Sequence, residues 1–255
     1  MRLTDAERAE NREALAGMTL PQRLDHILEY YRFPLALILI AAIALGSALY
    51  YRLTQKEALL HVAYANISVG DALDGAISEG YARAIGANPR RSEVRLYRNL
   101  YLSRDATVQN HDYAYASQLK VMAAMANGQL DVMLMNREAY DIMSAGGYLL
   151  PLEDLLDEGL AARVSGQIVS DTVILEDNDI EHRLDESIPY RAVTEEVANG
   201  LLISAFPLFE RADFSGDVIL GVVGNSARLD AVLRYIDYLT GDPSEGASTT
   251  DMATF

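Results

Sequence analysis

Nineteen consecutive residues, Phe33 to Tyr51 (FPLALILIAAIALGSALYY), carry no charged side chain, and Arg32 and Arg52 close the run at either end. As an α-helix at about 1.5 Å per residue it spans about 28 Å, close to the ~30 Å hydrocarbon thickness of a bilayer. Nine of the nineteen are Leu, Ile or Phe, each favouring insertion by roughly 0.3–0.6 kcal/mol. Tyr30, Tyr31 and Phe33 mark one edge and Tyr50 and Tyr51 the other, as interfacial aromatic belts do. Pro34 is expected where the helix begins, a position at which its missing N–H costs no hydrogen bond. The run reads as one transmembrane helix, 33–51. A 32-residue tail then lies on one side of the membrane and the bulk of the chain on the other.

A cleaved signal peptide is the competing reading, with Ala44, Gly46, Ser47 and Ala48 as small residues near a processing site. The apolar run is longer than an ordinary signal core, and the residues ahead of it are not basic. They hold five arginines against six acids, Asp5, Glu7, Glu10, Glu13, Asp25 and Glu29. An uncleaved anchor is therefore expected. Five arginines precede the span and only Arg52 and Lys56 follow it within thirty residues. That favours a cytoplasmic amino terminus and a main domain outside the cytoplasm.

Charge is spread unevenly. Residues 53–255 hold 15 Lys or Arg against 31 Asp or Glu. Phosphate backbones and anionic headgroups would repel such a surface, which sets nucleic acid aside as a partner. With no cysteine anywhere, no lipidated thiol tethers the chain, and the helix must do so.

Ahead of the span, Leu20, Leu24, Ile27, Leu28 and Tyr31 form one apolar stripe after Thr19. They are expected to make an amphipathic helix on the inner membrane surface, or a docking surface for a partner. Beyond it, strand and helix signals alternate. Leu59–Ser68 reads as a strand and 71–85 as a helix broken at Asn88-Pro89. SEVRLYRNLYL reads as a second strand. A helix capped by Asp112 follows, with Tyr115, Leu119, Met122 and Ala126 on one side and Gly128 as its stop. LDVMLM (Leu130–Met135) is a compact apolar run of the kind buried in parallel sheets. GDVILGVVGNS then reads as a late strand, with Asn225 or Ser226 capping a last helix up to Gly241. The expected fold is α/β with a parallel-dominated sheet over residues 56–241, followed by a flexible tail at 242–255.

The stretch ASQLKVMAAMANGQLDVMLMNREAYDIMSAGGYLLPLEDLL (Ala116–Leu156) resembles the extracellular solute-binding proteins of ABC transporters, type II. GVVGNSARLDAVLRYIDYLTG (Gly221–Gly241) is similar to their closing strand and helix. The layout as a whole looks like membrane-anchored members of that group in Gram-positive bacteria. The resemblance implies a membrane-tethered binding protein for a small solute or peptide, associated with a transporter. The domain is shorter than the two-lobed members, so one lobe must be reduced. A degenerate binding fold serving as a non-catalytic interaction subunit of a membrane complex is the alternative. The second lobe would have to come from Leu160–Ala212, which includes an acidic stretch, Val169–Ser187, expected as a solvated loop. Asn199–Ala212 would supply a crossover strand.

In a parallel sheet a ligand is expected where the strands end, because backbone donors and loop side chains converge there. Those positions are Asn66 and Ser68, Ser103 and Arg104, and Asn136 and Arg137, with Tyr113 and Tyr115 as aromatic walls. The four histidines, His26, His61, His111 and His182, are scattered without metal-ligand spacing. No nucleophile elbow, phosphate loop or EF-hand pattern is present. Neither catalysis, a metal nor a cofactor is expected.

Overall fold

The computed structural model describes residues 20–54, 56–105, 110–185, 187–210, 214 and 216–241. The side chains of 20–32, 35 and 52–54 lie outside the description, as do residues 1–19 of the expected amino-terminal tail and the expected tail at 242–255. The chain divides into two units, Met1–Gln55 and Lys56–Phe255.

The described residues of the first unit form one helix, α1 (Leu20–Thr54), 35 residues long. It joins the amphipathic segment and the uncharged run that the sequence suggested as separate pieces. Pro34 lies inside it rather than at its start. A proline in a helix interior forgoes one backbone bond, and the Leu, Ala and Ile residues that follow are strong enough helix formers to carry the helix through. Phe33, Leu37, Ile40, Leu45 and Leu49 are all exposed on it. Among the described residues, no helix is long and apolar enough to cross a membrane.

The second unit is built on one six-stranded sheet. Its strands are β1 (Glu57–Ala65), β2 (Ser92–Leu100), β3 (Val132–Met135), β4 (Ile168–Asp177), β5 (Ala192–Leu202) and β6 (Ile219–Val222), in the order β2-β1-β3-β6-β5-β4. The helices are α2 (Asp71–Gly75), which runs through a π-helical turn at Ala76–Gly80 into α3 (Tyr81–Ala84), then α4 (His111–Ala126), α5 (Arg137–Ala145), α6 (Glu158–Val164), α7 (Asp179–Leu184), α8 (Pro207–Glu210) and α9 (Leu229–Thr240). Residues Leu60–Ala65 of β1 are all buried, so both faces of the sheet are covered. On one face Leu60, Val62 and Tyr64 pack with Ile77, Tyr81, Val232, Tyr235 and Leu239. On the other, Ala63 and Ala65 pack with Val121, Met125, Tyr140 and Met143.

The α/β class stands, but the sheet is mixed rather than parallel-dominated. β1 pairs parallel with β2 and β3, whereas the β3–β6, β6–β5 and β5–β4 pairs are antiparallel. A parallel pair needs a crossover of a dozen or more residues, as β1–α2–α3–β2 provides. After β4 the links double straight back, through α7 to β5 and through α8 to β6, so each new strand runs opposite to the last. Gly200 and Gly221 face each other across β5 and β6. A Cβ on Gly200 would lie 2.7 Å from the Tyr140 ring, and one on Gly221 2.8 Å from Leu149. The two glycines let side chains from one face close directly onto the backbone.

Among its described residues, the stretch expected to supply a second lobe (Leu160–Ala212) instead adds β4 and β5 to the same sheet. The stretch expected as an acidic loop is strand β4 followed by α7. Ile168, Val169, Thr172, Val173 and Ile174 are β-branched and favour the extended chain, while Glu176 and Asp177 at the strand's end are exposed. β5 meets β6 only over Gly200–Leu202, so most of the β4–β5 ribbon continues past the sheet as an arm. Register shifts at Val169/Ser170 and Ile174/Glu176 mark where it bends.

Two helix details also differ from expectation. In α4 the buried face is Ala114, Ser117, Val121, Ala124 and Met125, and Tyr115, Leu119 and Met122 point outward. Small side chains let this helix lie close on the sheet, so the bulkier stripe is the solvent face. Its N-cap is Asn110, with Asp112 inside the first turn. In α9 the helix starts after Arg228, because Asn225 donates to the Met125 carbonyl and Ser226 to Asp131 instead of capping.

Candidate functional site at the strand ends

The chain order β2-β1-β3 reverses direction between β1 and β3, and such a switch point opens a crevice beyond the carboxyl ends of the two strands. A cleft of ≈ 470 Å³ lies there, lined by Asn66, Ile67, Ser68, Asn136, Arg137, Phe214, Gly216, Asp217 and Val218. Four of the six expected strand-end residues, Asn66, Ser68, Asn136 and Arg137, thus share one cleft. Its size falls within the usual range for small-molecule sites.

These residues do different jobs. Asn66 sits at φ 58°, the left-handed region that asparagine tolerates better than most residues. Its amide nitrogen donates to the Leu102 carbonyl at 2.7 Å, and its Oδ1 accepts the Leu102 N–H at 2.7 Å. Both ends of the side chain are consumed in tying the end of β1 to the segment after β2. Asn66 therefore positions the rim. Asn136 caps α5, its Oδ1 accepting the Ala139 N–H at 2.9 Å. Ser68 is exposed at the cleft mouth.

Arg137 stands at the start of α5 with its Nε 2.6 Å from Asp141 Oδ1 and its Nη2 3.8 Å from Asp171 Oδ1. The Asp141 approach is close but makes no aligned hydrogen bond, and it acts as a charge contact. The guanidinium lies 5.4 Å from the centre of the Tyr140 ring. Beneath it, Tyr140 donates to Asn199 Oδ1 at 2.7 Å and reaches the Val169 carbonyl at 3.1 Å. Burial first, and the Asp171 charge second, push the Tyr140 hydroxyl up to about 12. It stays a neutral donor, fastening α5 to the base of the arm.

Ser103 and Arg104 line a separate cleft of ≈ 670 Å³ with Leu102, Asp105, His111, Ala114, Tyr115, Gln118, Ile142 and Arg183. Arg183 comes from α7 at the arm's tip, and no local pattern in the chain pointed to its arrival here. Ser103 Oγ accepts the Asp105 N–H at 3.2 Å, and Arg104 Nη2 donates to the Asp141 carbonyl at 3.1 Å. Asp141 thus lies between Arg104 and Arg137. Tyr113 lines neither cleft; its hydroxyl donates to the Asn99 carbonyl. Tyr115 does line the second one.

A larger concavity, ≈ 890 Å³, lies elsewhere, along α2 and β2 from Lys56 to Arg98. Several of its charges pair with each other. Arg98 makes two bonds to Asp74, at 3.0 and 2.6 Å, and Glu93 takes Arg95 at 3.3 Å and Lys56 at 4.0 Å.

No family model, curated protein or solved structure matches the chain.

A buried polar knot at the other end of β3 went unrecognised in the sequence. The Asp131 carboxylate, fully buried, accepts the His61 backbone N–H at 2.8 Å and Ser226 Oγ at 2.7 Å, and Arg228 Nη1 lies 3.3 Å from both its oxygens. The His61 ring nitrogen Nδ1 is 3.3 Å away. Serine and histidine both turn to the aspartate and not to each other, which makes no nucleophile–base pair. Burial, then the Arg228 charge, hold the His61 imidazole below its usual value, so it remains neutral. The knot joins β1, β3 and the β6–α9 turn. An Asp within an apolar strand was its one visible sign. Among the described residues, no group of carboxylates and histidines could hold a metal ion, and that includes the acidic arm.

Proposed function

We propose that this chain is a membrane-tethered, non-catalytic binding module that takes a small solute or peptide at the carboxyl ends of β1 and β3. The reading is carried by one observation: Asn66, Ser68, Asn136 and Arg137, far apart in sequence, line one cleft at the switch point. The resemblance to solute-binding proteins of ABC transporters points the same way. With one sheet and no second lobe among the described residues, the ligand is held on an open rim and not enclosed between two walls.

Helix α1 is the proposed tether. Its sequence carries nineteen uncharged residues, about 28 Å of helix, and its described apolar side chains are exposed as lipid-facing ones are. The proposed topology has the amino terminus in the cytoplasm and the acidic domain outside it.

A thermal-shift screen of the full chain in detergent micelles against sugars, amino acids, peptides and metal ions tests the function. A ligand at a hundred times its Kd adds about 2.7 kcal/mol, a rise in Tm of roughly 5–11 °C for a domain this size. The Arg137→Gln variant is expected to lose that rise. A screen with no response anywhere would overturn the reading.

A second reading, an interaction subunit of a membrane complex, is favoured by the arm. Leu175, Ile180, Leu184, Tyr190 and Val193 are all exposed on it, Leu184 by 83%. Apolar side chains gathered on a projecting ribbon are the usual mark of a protein contact.

A further inference from the structure

We infer that the second cleft binds an anionic group, carboxylate or phosphate, between Arg104 on the rim and Arg183 on the arm. The inference rests on the binding-module reading and adds to it a second, anion-selective site on the same rim. Arg104 follows β2 and Arg183 sits in α7, yet both line the same ≈ 670 Å³ space. In a domain with 31 acids and 15 bases, two guanidinium groups at one cleft run against the prevailing charge. Each retains donors. Arg104 gives one Nη2 bond to a backbone carbonyl and pairs with no carboxylate among the described residues. Arg183 spends its Nε on Asp179, 2.9 and 3.1 Å from its two oxygens, and its terminal nitrogens have no partner among the described residues.

A planar fork of N–H groups matches the paired oxygens of a carboxylate or phosphate. Ser103 and Gln118 add neutral polar groups beside the arginines, and the Tyr115 ring and Ile142 give a less polar wall. Asp105 is the single carboxylate among the lining residues. The two guanidinium groups outnumber it, and the space has room for more than the anionic group itself, since inorganic phosphate alone would fill only part of it. The bent ribbon supplies the wall that a second lobe would otherwise give. Its base is fixed by the Tyr140–Val169 bond and by the Arg137–Asp171 contact.

The test is calorimetric titration of the full chain in micelles with succinate, with inorganic phosphate, and with the neutral diamide of succinate as control. Arg104→Gln, Arg183→Gln and Arg137→Gln are titrated in parallel, each checked for native circular dichroism. All three side chains are solvent-exposed, so the variants are expected to fold. Succinate or phosphate should bind and the diamide should not. Arg104→Gln and Arg183→Gln should each weaken binding about tenfold or more, with Arg183→Lys recovering part of the loss. Anion binding that is sensitive only to Arg137→Gln would move the anion to the first cleft. That result overturns the inference and leaves the binding module standing. A response to neutral solutes but to neither anion would do the same. Silence from every compound would overturn both.

Discussion

Replacing Asn66 separates its two contributions, and their sizes follow from the geometry. The side chain makes two bonds of 2.7 Å with the Leu102 backbone, each worth about 1 kcal/mol net in a part-buried setting. The backbone sits at φ 58°, which costs an ordinary L-residue roughly 1–2 kcal/mol but costs glycine little. Asn66→Ala loses both bonds and acquires the strain, for a loss of about 3–4 kcal/mol. Asn66→Gly loses the bonds alone, about 2 kcal/mol, with a few tenths added by the looser unfolded chain. Urea denaturation of the full chain in micelles, followed by far-UV circular dichroism, reads both values. The alanine variant should be the less stable by about 1 kcal/mol. Equal stability of the two would mean that backbone strain plays no part. A loss below about 0.5 kcal/mol in both would refute the positioning role altogether and return Asn66 to the pool of residues that touch ligand.

Three further outcomes are expected. Asp131→Ala should cost about 2–4 kcal/mol, because it strands the buried His61 N–H and removes the counter-charge of a partly exposed Arg228; Asp131→Asn should cost less, and the same denaturation measures both. His61, held below its ordinary value of 6.5, binds its proton more readily in the unfolded chain. Stability should therefore rise with pH up to about 6.5 and then level off, and a series of melts in wild type and His61→Gln should show the slope only in the former. Membranes carrying the full chain should keep it through an alkaline carbonate wash, as a spanning helix requires; release into the supernatant would remove the proposed tether.

Much of the frame was readable along the chain, because it depends on local periodicity. β3 shows as Val132–Met135 with no polar interruption, α9 shows through Val232, Ile236 and Leu239, and the end of α4 shows in Gly128, which takes φ 62°. What escaped depends on contacts between distant segments. The antiparallel half of the sheet escaped because strand direction is set by the length of the links, and a strand's own residues are silent about it. The acids of β4 looked like a loop because only Val173 on that strand is fully buried. The buried face of α4 was misread because a helix lying close on a sheet selects Ala114, Ser117 and Val121 over Tyr115 and Leu119. At the site, the rim positions followed from the ends of the apolar runs. Their sorting into two clefts did not, nor did the arrival of Arg183, because that takes a bent ribbon and two register shifts. Pro34 shows the reverse error: a residue with a strong positional preference was overridden by the helix formers that follow it.

The most direct measurement is amide hydrogen exchange on the full chain in lipid nanodiscs, with and without the compound that raises its Tm most. Binding at the strand ends predicts slower exchange at Ile67, Ser68, Ser103, Arg104 and Arg137, with the α2–β2 concavity around Glu79 and Ser92 unchanged. Slowing confined to that concavity, or to the outer edge of β4, would contradict it.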